Sequence, residues 1–342
     1  MDSADSREDA AFPFFAGMTI FIVFGGSCPA SENTMANPKQ FRLGLNQPVG
    51  SPTARRAIEM AEAINQETAG EFALEVFPES RLGPDPKMFA DLRAGALEFF
   101  MAGATLGEVA PTSALPLLPF AFSESRAVFA ALDGALGDGI RNELVASGLH
   151  AFRHCWQNGF HHLTISVRPI HTADDLAGLK FRSPGGAIAA DFFKALGADA
   201  GMVPFSGMYE ALKTHQFDGQ SDPLGVVLSL KLYEVQTYLS LTAHWWSGFT
   251  LLANAAAWNT LPRAVQGVVE QNAEKFALRQ REDVEQINAT GSEELARRGM
   301  RVNTADTESF RARFGDFYAR WRQKAGPELW RVLESYADGI GG

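Results

Sequence analysis

The chain has 342 residues, a length that predicts about two domains. With 46% hydrophobic and 20% charged residues, its composition is that of an ordinary globular protein. The formal net charge of −10 and the lack of any Lys/Arg-rich run argue against a nucleic-acid partner.

The N-terminal segment contains an apolar run, FPFFAGMTIFIVFGG, at residues 12–26. This run is too short to span a bilayer comfortably, and it is typical of a signal peptide with small residues for cleavage near Ala30 or Ala36. The preceding residues, MDSADSREDA, are acidic where a signal peptide is usually basic. An N-terminal extension without a targeting role therefore stays open, and in either case we set residues 1–36 apart from the folded protein.

The sequence contains two cysteines, Cys28 and Cys155. The residues GGSC at 25–28 only weakly resemble a lipoprotein cleavage site, because glycine stands where leucine is expected, so we do not expect a lipid anchor at Cys28. Once the signal segment is removed, Cys155 has no partner for a disulfide, and a zinc site built from paired cysteines is excluded.

The first part of the chain alternates between two periodicities. Apolar residues at every second position predict strands at 41–45 and 72–76, and an Ala- and Ile-rich stretch between them predicts a helix from Pro52 to about Thr68. This alternation is typical of βαβ units in a mostly parallel sheet. Further along we expect a helix at 85–94, a strand at 97–102, a helix at 126–145 and a strand at 149–156.

The alternation restarts near Asn158-Gly159, which marks a candidate domain boundary. A strand at 162–167, a helix beginning at Thr172 and a strand ending at Arg182 follow.

A long helical pattern begins at Leu261-Pro262 and runs to about Arg298, although Gly291 could interrupt it. If continuous, this helix would be about 55 Å long at 1.5 Å per residue, so we expect it to lie across both domains. A last helical stretch at 307–336 closes the chain.

Motifs of common enzymes are absent from the sequence, including GxGxxG, the P-loop, HExxH, GxSxG and the EF-hand loop. His161 and His162 are adjacent in a predicted strand and should point to opposite faces, so we do not expect them to share a metal ion. Ser247 has no recognisable base nearby in the sequence. We therefore predict no catalytic residues, no metal and no cofactor.

Six segments of the chain carry a family resemblance. They are VFPESRLGPD (76–85), LPLLPFAF (115–122), WQNGFHHLT (156–164), RPIHTADDLAGLKFRSP (168–184), VPFSGMYEALKTHQFDGQSDPL (203–224) and KLYEVQTYLSLTAH (231–244). In this order they resemble the DctP-type solute-binding proteins of TRAP transporters, over nearly all of the chain from Phe41 onwards.

The resemblance implies an α/β periplasmic binding protein whose two lobes are joined by hinge strands and a long shared helix, and which closes on its ligand as a flytrap. We expect one lobe at 37–157 with 247–285, and the other at 158–246 with part of 286–342 and the C-terminal helices. It further implies a periplasmic, non-enzymatic protein, more readily monomeric than dimeric. Its partners would be a small organic acid and the membrane permease subunits, which are driven by an ion gradient.

Arg182 occupies the position of the family's principal carboxylate-binding arginine. The residues themselves agree, because a guanidinium at a strand end, followed by the small loop SPGG at 183–186, can offer a bidentate bond to a carboxylate in a cleft. A structural ion pair is the alternative. Phe205 falls where the family often has a pocket aromatic, and plain core packing is its alternative.

Two positions depart from the family pattern: His161 stands where arginine is common, and Asp222 where asparagine is common. An ionised Asp222 would repel a carboxylate unless it is protonated, paired with Arg182 or aimed at a cationic part of the ligand. The last option favours a ligand that carries both a carboxylate and an ammonium, amidine or hydroxyl group. Alternatively, Arg182 and Asp222 pair with each other and the ligand binds elsewhere. His161 would either supply a neutral hydrogen bond to the ligand or, if it is an exposed strand residue, take no part in binding.

Four further residues are candidates for the pocket. Trp245 and Trp246 follow a strand at the crossing between lobes, and a tandem pair on an extended segment should direct at most one ring into the cleft. Trp156 is a candidate from the other crossing, and Asn46 follows the first strand at the end that faces the crevice in such sheets. Aromatic walls would favour a ring-bearing acid or a cation, and core packing explains each tryptophan equally well.

Two other functions stay open at this point. The same cleft would suit an enzyme that uses His161 as a base, and the binding protein could serve a sensor or an ATP-driven importer instead of a TRAP transporter.

Overall fold

The computed structural model describes residues 39–183 and 186–340. The predicted signal peptide, its cleavage sites and Cys28 lie outside the described residues.

Strands and helices follow one another along most of the chain. The strands are β1 Lys39–Gly44, β2 Phe72–Phe77, β3 Phe99–Ala102, β4 Leu149–Ala151, β5 Trp156–Ile165, β6 Lys180–Ser183, β7 Asp199–Met202, β8 Gly219–Pro223, β9 Tyr238–Leu241, β10 Trp246–Asn254 and β11 Arg301–Thr304. The helices are α1 Pro52–Glu67, α2 Asp85–Ala94, α3 Ser125–Asp133, α4 Ala135–Ala146, α5 Ala187–Ala195, α6 Met208–Lys213, α7 Leu224–Ser229, α8 Ala255–Asn259, α9 Arg263–Arg297, α10 Thr307–Arg311, α11 Gly315–Ala325 and α12 Pro327–Glu334.

The sheet has two halves that meet at one antiparallel pair. Its order is β2-β1-β3-β10-β5-β8-β6-β7. The first half holds the parallel strands β1, β2 and β3, with β10 antiparallel to β3. In the second half, β6 is parallel to both β7 and β8. The neighbours β10 and β5 join the halves.

Strand β5 belongs to both halves. Its first residues pair with β10, and its later residues pair with β8 and β9. The restart of the alternation at Asn158-Gly159 therefore lies inside one continuous strand, where the chain passes from one half of the sheet to the other. Opposite this point, the register of β10 shifts between Ser247 and Gly248, which locally breaks the alternation of side chains.

Helices cover both faces of the first half. Phe99 and Phe100 are neighbours on β3 and are both fully buried, yet they belong to different core clusters. Successive strand residues point to opposite faces, so a strand that is covered on both sides reads as a continuous apolar run. The predicted buried strand at 97–102 is β3 itself, shortened to four residues.

The long helix α9 is continuous through Gly291, as 35 residues or about 50 Å. Near its start, Val265 and Val269 are buried in the core cluster of the first half, and near its end Leu295 is buried in a cluster of the second half. The expected helix that spans both parts is confirmed. Among the described residues, neither this helix nor any other has the stretch of apolar residues needed to cross a bilayer.

Three sequence predictions differ from the structure, two of them at glycines. The single helix predicted at 126–145 is broken at Gly134 into α3 and α4. The last helical stretch consists of three helices, and the final break falls at Gly326, whose φ of 80° is followed by Pro327 at the start of α12. The strand predicted at 149–156 ends early at Ala151, and Trp156 already begins β5.

Gly219 in β8 offers a test of how tightly the second half is packed. A Cβ there would lie 2.4 Å from the Thr164 carbonyl oxygen and 2.9 Å from a ring carbon of Phe181. We expect Gly219→Ala to lower the free energy of unfolding by about 1–3 kcal/mol, because both neighbours must move. Gly50→Ala, where no atom lies within 4 Å, is the matched control. Equal melting temperatures for the two variants would contradict this prediction.

Candidate ligand-binding site

A cavity of about 810 Å³ has walls from both halves of the sheet. Its polar lining includes Asn46 after β1, Asp85 at the start of α2, His161 in β5, Arg182 in β6 and Asp222 in β8. The structure therefore brings together four of the polar residues that the sequence suggested. It adds Asp85, which the sequence reasoning did not single out.

Arg182 lies near the carboxyl end of β6 with only 1% of its side chain exposed. Its Nε donates a hydrogen bond to the Val203 carbonyl oxygen at 3.0 Å, and its Nη1 donates to Asp222 Oδ2 at 3.3 Å. Its Nη2 makes no hydrogen bond to the described part of the chain. The guanidinium is thus held in position by two contacts and still has a donor for a further group.

Two carboxyl groups share the field of this one guanidinium. Burial raises the pKa of Asp222 to about 7 and that of Asp85 to about 6, and in both cases the charge of Arg182 opposes the shift. Burial also lowers the pKa of Arg182, but a guanidinium keeps its proton in proteins. With both acids ionised, this group of three residues would carry one excess negative charge.

Asp85 is held by Asn46. The amide Nδ2 of Asn46 donates to Asp85 Oδ2 at 2.7 Å, and its Oδ1 accepts from Gln47 Nε2 at 3.0 Å. The other carboxyl oxygen, Asp85 Oδ1, is buried without a hydrogen-bond partner among the described residues. The sequence signal for Asp85 was its place at the end of the segment VFPESRLGPD, directly after Pro84 and at the first turn of a helix.

His161 is buried and neutral, so it is not an exposed strand residue. Its Nδ1 lies 3.1 Å from the Ser221 carbonyl oxygen and 3.0 Å from Ser221 Oγ, and its Nε2 lies 2.7 Å from Ser247 Oγ. The carbonyl oxygen can only accept, which assigns the proton to Nδ1 and makes Nε2 an acceptor. Burial lowers the pKa of His161 to about 3, so the imidazole brings no charge to the cavity.

Ser247 does have a base beside it, contrary to the expectation from sequence. Its hydroxyl lies between His161 Nε2 and Asn158 Nδ2, which donates to it at 3.0 Å. Ser247 and His161 are 86 positions apart in the chain, and the pairing of β5 with β10 brings them together. His161 Nδ1 in turn faces Ser221 instead of a carboxylate, so the arrangement lacks the acid that orients the histidine of a catalytic triad.

His162 faces the other side of β5. Its Nδ1 accepts hydrogen bonds from the backbone N–H groups of Thr242 and Ala243, both at 3.1 Å. The adjacent histidines therefore point apart, as the strand alternation predicted. Across residues 39–183 and 186–340, no group of three or more His, Cys, Asp or Glu side chains is arranged to hold a metal ion.

Both Trp245 and Trp246 line the cavity, where the sequence predicted at most one. Trp245 precedes β10 and packs against His161, with ring centroids 5.3 Å apart. Trp246 begins β10, and its ring folds back over Gly248, where a Cβ would lie only 2.2 Å from it. Trp245 lies before the first residue of β10, so the strand alternation on which the prediction depended does not apply to this pair.

The remaining two aromatic candidates lie in different environments. Trp156 is fully buried in the core cluster of the first half and is not part of the cavity lining, which agrees with the core-packing alternative. Phe205, on the short 3-10 helix Phe205–Gly207, is half-buried and lines the cavity.

Residues 43–324 match the DctP family, described as bacterial extracellular solute-binding protein, family 7. The chain belongs to this family. It has the α/β periplasmic binding protein fold of TRAP solute-binding proteins, and it is a periplasmic, non-enzymatic protein that binds carboxylates for TRAP transport.

Several known proteins are similar to this chain. The 2,3-diketo-L-gulonate-binding periplasmic protein YiaO of Escherichia coli K12 is 31% identical, over 87% of this chain and 91% of its own length. A TRAP periplasmic solute-binding protein from Polaromonas sp. JS666, solved with D-erythronate, is 29% identical with a TM-score of 0.83, over 89% of this chain and 100% of its own. The sugar acid binding protein of Advenella mimigardefordensis, solved with galactonate, is 30% identical with a TM-score of 0.84, over 88% of this chain and 98% of its own.

The half-buried His162 predicts how stability depends on pH. Burial lowers the pKa of His162 to about 4, so below a pH of about 6.5 the unfolded state binds the proton more readily than the folded state. His162→Asn keeps a side-chain acceptor for the two N–H groups but cannot be protonated. We expect the loss of unfolding free energy between pH 7 and pH 5 to be smaller in this variant by about 1–2 kcal/mol.

Chemical denaturation at both pH values measures this difference. His215→Asn, which removes an exposed histidine, is the control. If the two variants lose the same stability between pH 7 and pH 5, the burial of His162 does not act as described.

Proposed function

We propose that this protein captures the carboxylate of a small organic acid at Arg182 and delivers the acid to the membrane subunits of a TRAP transporter. The observation that carries the proposal is a buried guanidinium in the lining of a large cavity, with one carboxyl contact and a donor still available. Membership of the DctP family supports a TRAP transporter as the destination, in preference to a sensor or an ATP-driven importer. The relatives named for sugar acids support a polyfunctional acid as the ligand.

In this proposal the ligand lies between two lobes. Residues 37–157 with 247–285 form one lobe, and residues 158–246 with part of 286–342 form the other. Asn46 and Asp85 then belong to the first lobe, and Arg182 and Asp222 to the second. Closure would exclude water from the cavity and strengthen the bond between the guanidinium and the ligand carboxylate.

The charges of the site constrain the rest of the ligand. A carboxylate that joined Arg182, an ionised Asp85 and an ionised Asp222 would leave two excess negative charges in a buried site, which is costly. Either one of the carboxyl groups takes up a proton, or the ligand brings a group that offsets their charge. We propose the second: an ammonium or amidine that balances the charge, or a hydroxyl that donates a hydrogen bond without balancing it, directed at Asp222 and at the unpartnered Asp85 Oδ1. His161, held neutral, adds a hydrogen-bonding edge without charge.

The first test removes the proposed carboxylate receptor. We expect Arg182→Ala to weaken binding at least about tenfold, the scale of one charge-assisted hydrogen bond. Isothermal titration of the acid found by mass spectrometry in the purified protein measures the change. Arg55→Ala removes a half-exposed arginine on α1 and is the control. A folded Arg182→Ala protein with unchanged affinity would place the carboxylate elsewhere.

The second test separates a zwitterionic ligand from a purely anionic one by the sign of the pH dependence. Burial raises the pKa of Asp222 to about 7 and that of Asp85 to about 6. A ligand with an ammonium group needs ionised carboxyls, so its affinity should rise as the pH increases from 6 to 8. A purely anionic ligand needs a protonated carboxyl, so its affinity should fall over the same range.

The matching variant is Asp222→Asn. We expect it to flatten the pH dependence and to shift a thermal-shift panel of amino acids, succinate and sugar acids towards the pure anions. An unaltered ligand profile in the folded variant would rule out a role for Asp222 in ligand choice.

A further inference from the structure

The cavity extends well beyond the charged residues. Besides the polar group around Arg182, its lining includes a set of large apolar side chains from the first half of the sheet, namely Leu106, Leu115, Ile140, Leu144, Trp246 and Phe249. We call this part the apolar chamber. A volume of about 810 Å³ is near the upper end of the roughly 300–1,000 Å³ range of pockets that hold drug-sized ligands. It is therefore larger than one carboxylate and one donor group require.

Several elements build the chamber. Leu106 lies on the 3-10 helix Ala104–Glu108, and Leu115 lies on the 3-10 helix Pro111–Leu117. Ile140 and Leu144 lie four residues apart on α4 and therefore share one face of that helix. All four are buried and belong to a hydrophobic core cluster, so they form the inner wall of the cavity.

Charged residues mark where the chamber approaches the surface, and Arg141 among them is already engaged. It donates to the carbonyl oxygens of Leu132 and Arg153 and to Asp138. Lys324 also lines the cavity and is exposed, and its ammonium lies 4.2 Å from the centre of the Trp321 ring. Both cations therefore already interact with other groups of the chain.

Trp246 adds an indole ring to the wall of the chamber. Its side chain lines the cavity, the residue is only 3% exposed, and its Nε1 has no hydrogen-bond partner among the described residues. The Nε1 of Trp156, which lies in the core and away from the cavity, is likewise without a partner, so this feature does not by itself indicate a ligand.

We infer that the acid captured by this protein has an apolar tail, aliphatic or aromatic, which occupies the apolar chamber while its carboxylate binds Arg182. This inference rests on the proposed capture of a carboxylate at Arg182. The chamber is continuous with that site in one cavity, so a single ligand can reach both. Burial of apolar surface would then provide much of the affinity, and the charged residues would fix the orientation.

The experiment uses two homologous series as probes: acetate, butyrate, hexanoate and octanoate, and the α-amino acids glycine, alanine, norvaline and norleucine. Isothermal titration gives the affinity of each for the full-length protein. We expect the dissociation constant to fall about threefold to fourfold per added methylene in the series that binds, as for a CH₂ group removed from water. Affinity that is flat or falls with chain length would overturn the inference.

Chamber variants provide the second arm. Leu144→Trp should weaken the longest probes at least about tenfold and leave the shortest unchanged, because the added ring fills the space of the tail. Val145→Trp is the matched control, since Val145 is the next residue on α4 and is 60% exposed. Leu106→Phe is a milder variant in case Leu144→Trp does not fold. If the folded variants lose the same affinity for short and for long probes, the inference is also overturned.

The outcome also distinguishes the chamber from the carboxylate site. If no acid of either series binds but the acid found in the purified protein does, the inference is overturned and the proposed capture at Arg182 stands. If no carboxylic acid binds at all, the capture fails, and the chamber is then tested with benzene and hexan-1-ol, because apolar cavities bind such neutral molecules. Thermal stabilisation that is lost in Leu144→Trp and kept in Val145→Trp would support the chamber. No stabilisation of the original protein would overturn it.

Discussion

The structure depends on the placement of one guanidinium between carboxyl groups inside a cavity. Arg182 is almost fully buried, contacts Asp222 through one carboxyl oxygen and lies in the field of Asp85. Burial disfavours all of these charges, so none of the three groups is at its electrostatic optimum without a ligand. A buried site whose charges do not balance is poorly suited to structural stabilisation and well suited to binding a molecule that restores the balance.

The fold makes this placement possible by keeping the pieces of the site on separate elements. The antiparallel pair of β5 and β10 connects the two halves of the sheet and brings His161 next to Ser247. Helix α9 packs against both halves. Around this frame the site gains a charged part from strand ends and an apolar chamber from the helices of the first half.

The site contains a neutral histidine, His161, and a second carboxyl group, Asp85, in addition to Arg182 and Asp222. His161 has no charge because burial outweighs its hydrogen bonds, and Asp85 is oriented by Asn46. Neither effect can be read from residue type alone, since the same histidine on an open strand would titrate near neutrality. The apolar chamber likewise has no local signature, because its leucines read as ordinary core residues in the sequence.

The sequence by itself determined the family, the alternation of strands and helices and the long helix, because these follow from local periodicity and from motifs that are contiguous in the chain. It also singled out Arg182 as a candidate for the site. It placed Asp222 near Arg182 only through the family pattern. The tertiary structure decided which residues share the cavity. It brought in Asp85, paired Ser247 with His161, turned both Trp245 and Trp246 into the lining and left Trp156 in the core. These outcomes depend on where β10 begins, on strand pairing across 86 residues and on burial, which are properties of the packed chain and not of any segment within it.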